Sequence, residues 1–474
     1  MAVRKTLESA AARKAIDYLF GDPENRVRRA MEIVDTLAPA DLYPNQRSAI
    51  RGAIEREDNW YKLLMKVFDL DKEYASKLAK TFVVDANLAC WPEQEDSRSK
   101  YECNIPWALL LDPTSACNLH CTGCWAADYE NRNDLSIEEI ESIIEQGKKL
   151  GTHVFIFTGG EPLVRKRDLI EICERHQDCV FLSFTNGTLI DEAFCDDMLR
   201  VANFVPAISI EGFEEATDSR RGAGTFAKVA RAMALMKEKG LAFGASCCYT
   251  SENVSDIASE QFFDWLIEQG ALFAWFFTYM PIGADAPTDL MVSACQREYM
   301  YNFVRKMREK KPLFTMDFWN DGEFVGGCIA GGRRYLHISA AGDVEPCVFA
   351  HYANVNIHDT SLLDALRSPL FMAYREAQPF DWNLLRPCPI LDNPDKLAEL
   401  VEKSGAVSTN PVGGEDAREL CGKCREAAES WEPVADKLWT NPQDPRRELR
   451  QSHTVGQAET DLERLVKLGR MPRQ

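Results

Sequence analysis

The chain has 474 residues, 45 % of them apolar, and carries a net charge of −19 at pH 7. It is long enough for one large domain plus one or two smaller ones, it has no run of about 18 apolar residues that would cross a membrane, and its acidic field argues against non-specific nucleic-acid binding. The N-terminus has no apolar signal segment, so a cytoplasmic protein is expected, and its sixteen cysteines then read as metal ligands or small core residues rather than disulfides.

Residues 1–100 read as helical. Asp22 and Pro23 supply an N-cap and a first-turn proline, and Val27, Met31, Val34 and Ala38 follow at helical spacing. Pro39 and Pro44 punctuate the next connection, and amphipathic segments follow near 46–56, 60–69 and 72–83. Trp91-Pro92 and the polar run from Glu93 to Lys100 read as a linker flanked by Cys90 and Cys103.

Residues 105–312 alternate apolar strand-like runs with helical periods. Strands are predicted at Ala108–Leu111, Val154–Phe157, Val180–Phe184, Val205–Ile210, Phe243–Tyr249 and Leu272–Tyr279. Ser136 and Glu139 form a capping box ahead of a helix buried through Ile137, Ile140 and Ile144, and a second helix from Thr225 stops at Gly240. Six such units predict an α/β fold, a partial (β/α)6 TIM-like barrel with chemistry at the carboxyl ends of its strands.

The first strand leads into Cys117-Asn-Leu-His-Cys121-Thr-Gly-Cys124. Three thiolates in one short loop can ligate three irons of a [4Fe–4S] cube and leave the fourth open. Zinc, the competing metal, prefers four ligands, usually in paired C-x2-C units. Thr158-Gly159-Gly160-Glu161-Pro162 follows the second predicted strand. Its glycines allow close backbone approach, and its glutamate offers an acceptor for an ammonium group. Cys247 and Cys248 are adjacent on one strand and so face opposite ways; both are expected in the core.

The cysteine loop matches the signature of the radical S-adenosylmethionine (SAM) superfamily, and Gly159-Gly160-Glu161 resembles that family's amine-binding motif. The resemblance implies a [4Fe–4S] cluster whose open iron binds SAM, and reductive cleavage of SAM to a 5′-deoxyadenosyl radical that abstracts hydrogen from a substrate. It further implies SAM contacts at Asn186, Ser209, Glu211, either Arg220 or Arg221, and Met280. In one respect the chain departs from the family: the position before the third cysteine is usually aromatic, but here it is Gly123, with Trp125 one place after Cys124.

Beyond 312 the pattern changes. Cys328-x13-Gly342-x4-Cys347 brackets a predicted hairpin, Cys388 lies between two prolines, and Cys421-x2-Cys424 follows. The first spacing resembles the opening of SPASM and Twitch auxiliary-cluster domains. The resemblance implies one auxiliary [4Fe–4S] cluster on Cys328, Cys347 and Cys388 with one or both of Cys421 and Cys424; a zinc site is the alternative. His337, His351 and His358 are not expected to be ligands. Residues 404–416 read as a loop.

The expected organisation is a helical region (1–100), a partial barrel (105–312), a small C-terminal Fe–S domain (313–430) and a helical basic tail (431–474). A flavodoxin or ferredoxin is the expected reductant. For the substrate, a small molecule or lipid ranks ahead of a peptide, because the helical N-terminal region shows no leader-binding winged-helix pattern. A non-catalytic Fe–S carrier or zinc module is the reading of another class, although a carrier has no use for a three-ligand cluster or for Gly159-Gly160-Glu161.

Overall fold

The computed structural model describes residues 2–37, 44–126, 133–283, 285–410 and 415–444. Pro39 and the basic residues from Arg446 to Arg473 lie outside them, as does most of the predicted tail.

Nine strands form the main sheet: β1 (Ala108–Leu111), β2 (Val154–Phe157), β3 (Val180–Thr185), β4 (Phe204–Ser209), β5 (Gly244–Tyr249), β6 (Phe273–Thr278), β7 (Phe314–Asp317), β8 (Tyr335–Ile338) and β9 (Val344–Glu345). Their spatial order is β7-β6-β5-β4-β3-β2-β1-β8-β9, and every pairing is parallel except β8 with β9. The six predicted strands are present to within a residue or so at each end.

Alternation along these strands builds two cores. Leu109, Leu111, Phe155, Phe157 and Phe181 point to the helix-covered side. Ala108, Leu110, Val154, Ile156 and Val180 point to the other side, which joins the C-terminal residues. Helix Ile137–Lys149 starts at the predicted capping box and buries Ile140, Ile143 and Ile144.

The sheet does not end at the sixth strand. β7 extends one edge, and β8 pairs with β1 in register Ala108↔Tyr335. All four residues of β1 are buried, and a strand that apolar cannot be left as an edge. The C-terminal hairpin therefore covers the edge beside the cysteine loop, and segment 313–338 belongs to the barrel's sheet as much as to a separate domain.

The segment read as a linker is instead the helix Trp91–Tyr101, with Pro92 in its first turn. Its polar residues have partners: Gln94 Nε2 donates to the Pro106 carbonyl at 3.2 Å and Arg98 Nε to the Ile105 carbonyl at 3.2 Å. The earlier helices also pack on the barrel. Asn59 Nδ2 donates to the Arg308 carbonyl at 2.6 Å, and the Asp71 N–H to the Gly240 carbonyl at 2.9 Å. In the predicted loop 404–416, Val407–Ser408 pairs with Tyr352–Ala353 as a two-residue ladder. No helix among the described residues is long and apolar enough to cross a membrane.

Candidate active site

The cysteine loop follows β1 at the carboxyl end of the sheet. It is held from three sides by strand ends. Gly160 N–H donates to the Thr114 carbonyl at 3.0 Å and Glu161 N–H to the Ala116 carbonyl at 2.8 Å. A Cβ on Gly160 would sit 2.3 Å from the Ala116 oxygen, and Gly159 adopts φ +103°. The closest approach these glycines permit is thus to the cysteine loop itself. From β3, Asn186 Nδ2 donates to Asn118 Oδ1 at 2.8 Å, and Asn118 Nδ2 donates to Thr188 Oγ1 at 2.9 Å. From beyond β4, Arg220 Nε donates to the Thr122 carbonyl at 3.2 Å, while its own carbonyl accepts from the Thr122 N–H at 2.9 Å.

Glu161 is 1 % exposed. Its carboxylate accepts from Thr185 Oγ1 (2.6 Å), Asn186 N–H (2.7 Å) and Leu163 N–H (2.9 Å). Burial pushes its pKa up, and these three bonds oppose that rise. The side chain works as a staple between the ends of β2 and β3, and it also lines the cleft beside the cysteine loop.

Glu211, fully buried, resolves the choice between the two arginines by taking both. Its Oε1 accepts from Arg220 Nη1 at 2.8 Å and from Arg221 Nε at 2.7 Å, while Oε2 is buried without a hydrogen-bond partner. Arg221 Nη1 also lies 3.9 Å from Cys121 Sγ. Two guanidinium groups against one carboxylate leave one positive charge in excess.

All of the predicted SAM-loop residues except Glu211 line a single cleft: Cys117, Cys121, Cys124, Gly159, Gly160, Glu161, Asn186, Ser209, Arg220, Arg221 and Met280. The cleft spans ≈ 1040 Å³ including its open mouth. Cys248 lines it too, opposite to the core placement expected, whereas its neighbour Cys247 is fully buried as expected.

The departure at Gly123 has a structural explanation. Gly123 adopts φ +64°, and a Cβ there would lie 2.6 Å from the Tyr279 ring. Tyr279 fills the volume that an aromatic residue at 123 would occupy, and its buried hydroxyl has no hydrogen-bond partner. Trp125 lines the same cleft and stacks on His351 at 6.2 Å and 19°.

These residues fit a cubane. Burial pushes the Cys117 thiol up to about 11 and also raises Cys121, so the thiols need a metal core to become thiolates. A single zinc with bonds of about 2.3 Å would draw its sulfurs to about 3.8 Å apart. Among the described residues, no three of the predicted cluster cysteines bring their ligand atoms within 4.8 Å of one another. The excess guanidinium charge suits an anionic cluster and the carboxylate of an amino-acid ligand.

The C-terminal cysteines separate into two groups. Cys328, Cys347 and Cys388 line one small cavity with Tyr335, Tyr374 and Phe349. Cys388 Sγ accepts from the N–H groups of Leu391 (3.3 Å) and Ile390 (3.4 Å), and Tyr335 Oη lies 2.8 Å from Cys347 Sγ. Cys421 and Cys424 lie on helix Ala417–Thr440, within the same apolar core but outside the lining of that cavity. Val348 and Phe349, just past Cys347, line the SAM-loop cleft, and Phe349 lines both cavities.

A buried network beside the cleft was missed in the sequence. Asp112, just after β1, lies 3.0 Å from His337 Nε2; His337 Nδ1 lies 2.7 Å from Glu345 Oε2; and His351 Nδ1 lies 3.3 Å from Glu345. Both histidines are held by carboxylates. Period-2 alternation in β8 marks His337 as inward-facing, but nothing local reveals its partners. Burial lowers the His337 pKa, and the two carboxylates outweigh it, raising the value to about 10. A folded-state pKa above the unfolded value of about 6.5 contributes stability in full below pH 6.5, and that contribution is lost as pH rises through about 10. The stability gap between wild type and His337→Gln should therefore be widest at pH 5–6.5 and shrink toward pH 10 in urea melts. A pH-independent gap would refute this charge state.

The parallel sheet with a three-cysteine loop after its first strand, and a second cysteine cavity against its edge, define a two-part iron–sulfur enzyme fold. Residues 111–260 match the model of the radical SAM superfamily and residues 328–389 that of the SPASM iron–sulfur cluster-binding domain. The chain belongs to the radical SAM superfamily and carries a SPASM domain; SAM and [4Fe–4S] clusters are its cofactors.

It is 30 % identical over 230 residues to the Fe-coproporphyrin III synthase of Methanosarcina barkeri, a match covering 46 % of this chain and 57 % of that protein. It is 28 % identical to the mycofactocin maturase of Mycolicibacterium smegmatis (55 % and 67 % covered) and 26 % identical to the PqqA peptide cyclase of Granulibacter bethesdensis (60 % and 79 %). In fold it is similar to Streptococcus suis SuiB, with TM-score 0.52 at 20 % identity, covering 63 % of this chain and 74 % of SuiB.

Proposed function

We propose that this enzyme directs a 5′-deoxyadenosyl radical at a hydrogen of a peptide or protein substrate. When bound, the cluster and SAM supply one electron and that radical; the protein supplies position and dryness. Cys117, Cys121 and Cys124 hold the cluster. Gly159, Gly160 and Glu161 fix the loop that carries them, and Asn186, Ser209, Arg220, Arg221 and Met280 face SAM. Glu211 acts through its arginines. Cys328, Cys347 and Cys388, with a ligand from Cys421 or Cys424, hold the auxiliary cluster. Phe184, Phe277 and Phe349 line the cleft and exclude water from a reactive radical. Flavodoxin or ferredoxin is the proposed reductant.

The observation that carries the reaction class is the three-cysteine loop at the mouth of a cleft with surplus guanidinium charge. The peptide reading is supported by the relatives named as a mycofactocin maturase, a PqqA peptide cyclase and a sulfatase-maturating enzyme. They shift the weight away from the small molecule or lipid that the sequence ranked first.

The test is anaerobic reconstitution with dithionite and SAM, followed by addition of the peptide fraction of the native cell. A peptide-dependent rise in 5′-deoxyadenosine, with a matching change in one peptide's mass, is expected. Stimulation by a tetrapyrrole carboxylate instead would overturn the peptide reading and leave the radical class intact.

A further inference from the structure

At the opposite end of the barrel, where the strands begin, metal-ligating side chains converge on His153. His153 immediately precedes β2, and Asp178 and Cys179 immediately precede β3. Cys90 and Glu93 come from the start of helix Trp91–Tyr101. His153 Nδ1 lies 3.6 Å from Asp178 Oδ2 and 3.9 Å from Cys179 Sγ, and Cys179 Sγ lies 3.8 Å from Asp178 Oδ1. The two contacts to Asp178 use different oxygens, Oδ2 toward His153 and Oδ1 toward Cys179; with one ligand atom taken from each residue, all three lie within 4.8 Å of one another. A tetrahedral zinc, with bonds of about 2.3 Å to sulfur and about 2.0–2.2 Å to nitrogen and oxygen, sets its ligand atoms roughly 3.3–3.8 Å apart. With a single Asp178 oxygen as ligand, the triad would have to contract to become one face of such a site. Cys90, Glu93 and His153 form a second triad whose ligand atoms also lie within 4.8 Å of one another; the two triads share His153, and Cys90 would complete the first only by leaving the Asp85 carbonyl, to which its Sγ donates at 2.6 Å. Cys90 and Cys179 are 4 % and 0 % exposed.

We propose that Cys90, His153, Asp178 and Cys179 form a structural zinc site that ties the N-terminal helices to the floor of the barrel. Mixed S, N and O donors suit zinc, and four protein ligands close the site to substrate. Binding would release the thiol protons to solvent. Three existing contacts would have to yield: His153 Nδ1 lies 3.1 Å from the Asp178 carbonyl oxygen, Lys148 Nζ lies 3.0 Å from Asp178 Oδ2, and Cys90 Sγ donates to the Asp85 carbonyl at 2.6 Å. Lys148 has Glu145 at 3.2 Å as its other carboxylate. The site is independent of the reaction proposed above.

The full chain should be expressed with added zinc and purified anaerobically, with zinc and iron counted by mass spectrometry and the zinc shell read by X-ray absorption. About one zinc per chain with mixed sulfur and nitrogen or oxygen donors is expected. Cys179→Ser and His153→Gln should each reduce zinc content by roughly tenfold or more and leave iron content and SAM cleavage unchanged. Absence of zinc from the supplemented wild type, zinc undiminished in both variants, or an all-sulfur shell pointing to Cys421 and Cys424 would overturn the proposal. The wild-type spectrum decides the question even if a variant folds poorly.

Discussion

Cys117→Ala, Cys121→Ala and Cys124→Ala will each abolish 5′-deoxyadenosine release, a loss of at least ~10³-fold on the scale of removing an essential catalytic group. The reason is ligand arithmetic. A cube held at three corners has no spare protein ligand, and the loop offers no replacement thiol. Cys248 is the nearest test of that statement. It lines the same cleft, but it sits on β5, whereas the three ligands share one loop. Cys248→Ala should keep its iron and most of its SAM cleavage. The loop variants should lose about four irons per chain and retain those of the auxiliary cluster. Residual 5′-deoxyadenosine in any of the three loop variants, or equal iron loss in Cys248→Ala, would move the cluster away from this loop.

What the sequence made legible follows from where the information lies. Strand positions were readable because the apolar runs are short, β1 and β2 being buried at every position and β3 to β6 mixing buried and half-buried residues, and Ser136 and Glu139 announced their helix through a purely local bond pair. Helix Trp91–Tyr101 was misread because its composition is polar and the partners of Gln94 and Arg98 lie beyond its end, at Pro106 and Ile105. The pairing of β8 with β1 joins residues far apart in the chain, and no local pattern encodes it.

The site followed the same rule. Which residues surround the cleft was legible from motifs at strand ends. What each does was not, because that depends on a partner from another strand. Glu161 is committed to Thr185 and Asn186, Gly123 makes room for Tyr279, and Glu211 holds two arginines that the sequence offered as alternatives. Alternation on β5 correctly sent Cys247 and Cys248 to opposite faces. The step that failed was assuming that neither face was the cleft.

Glu211→Gln will destabilise the fold and disable the site together. Glu211 is fully buried, and the Arg220 and Arg221 side chains are only 13 % and 12 % exposed. Breaking a buried ion pair by removing one partner costs about 3–5 kcal/mol, because the other charge is left uncompensated. Here two guanidinium groups would be left facing each other. Arg220 is also doubly bonded to Thr122, inside the cysteine loop, so its drift would move Cys121 and Cys124. Misplacement of a reacting group by about 1 Å costs on the order of 10² in rate, and a loss of that size in 5′-deoxyadenosine formation is expected even below the unfolding transition. Adding Arg221→Met to Glu211→Gln returns the local charge to the single excess positive charge of the wild type, relieves the repulsion between the two guanidinium groups, and should recover part of the stability. It should not recover the rate, since one guanidinium facing SAM is then missing. Such a split would mark Glu211 as a positioning residue. If the single variant unfolds within 0.5 kcal/mol of wild type and cleaves SAM at the normal rate, the cysteine loop is not anchored through this carboxylate.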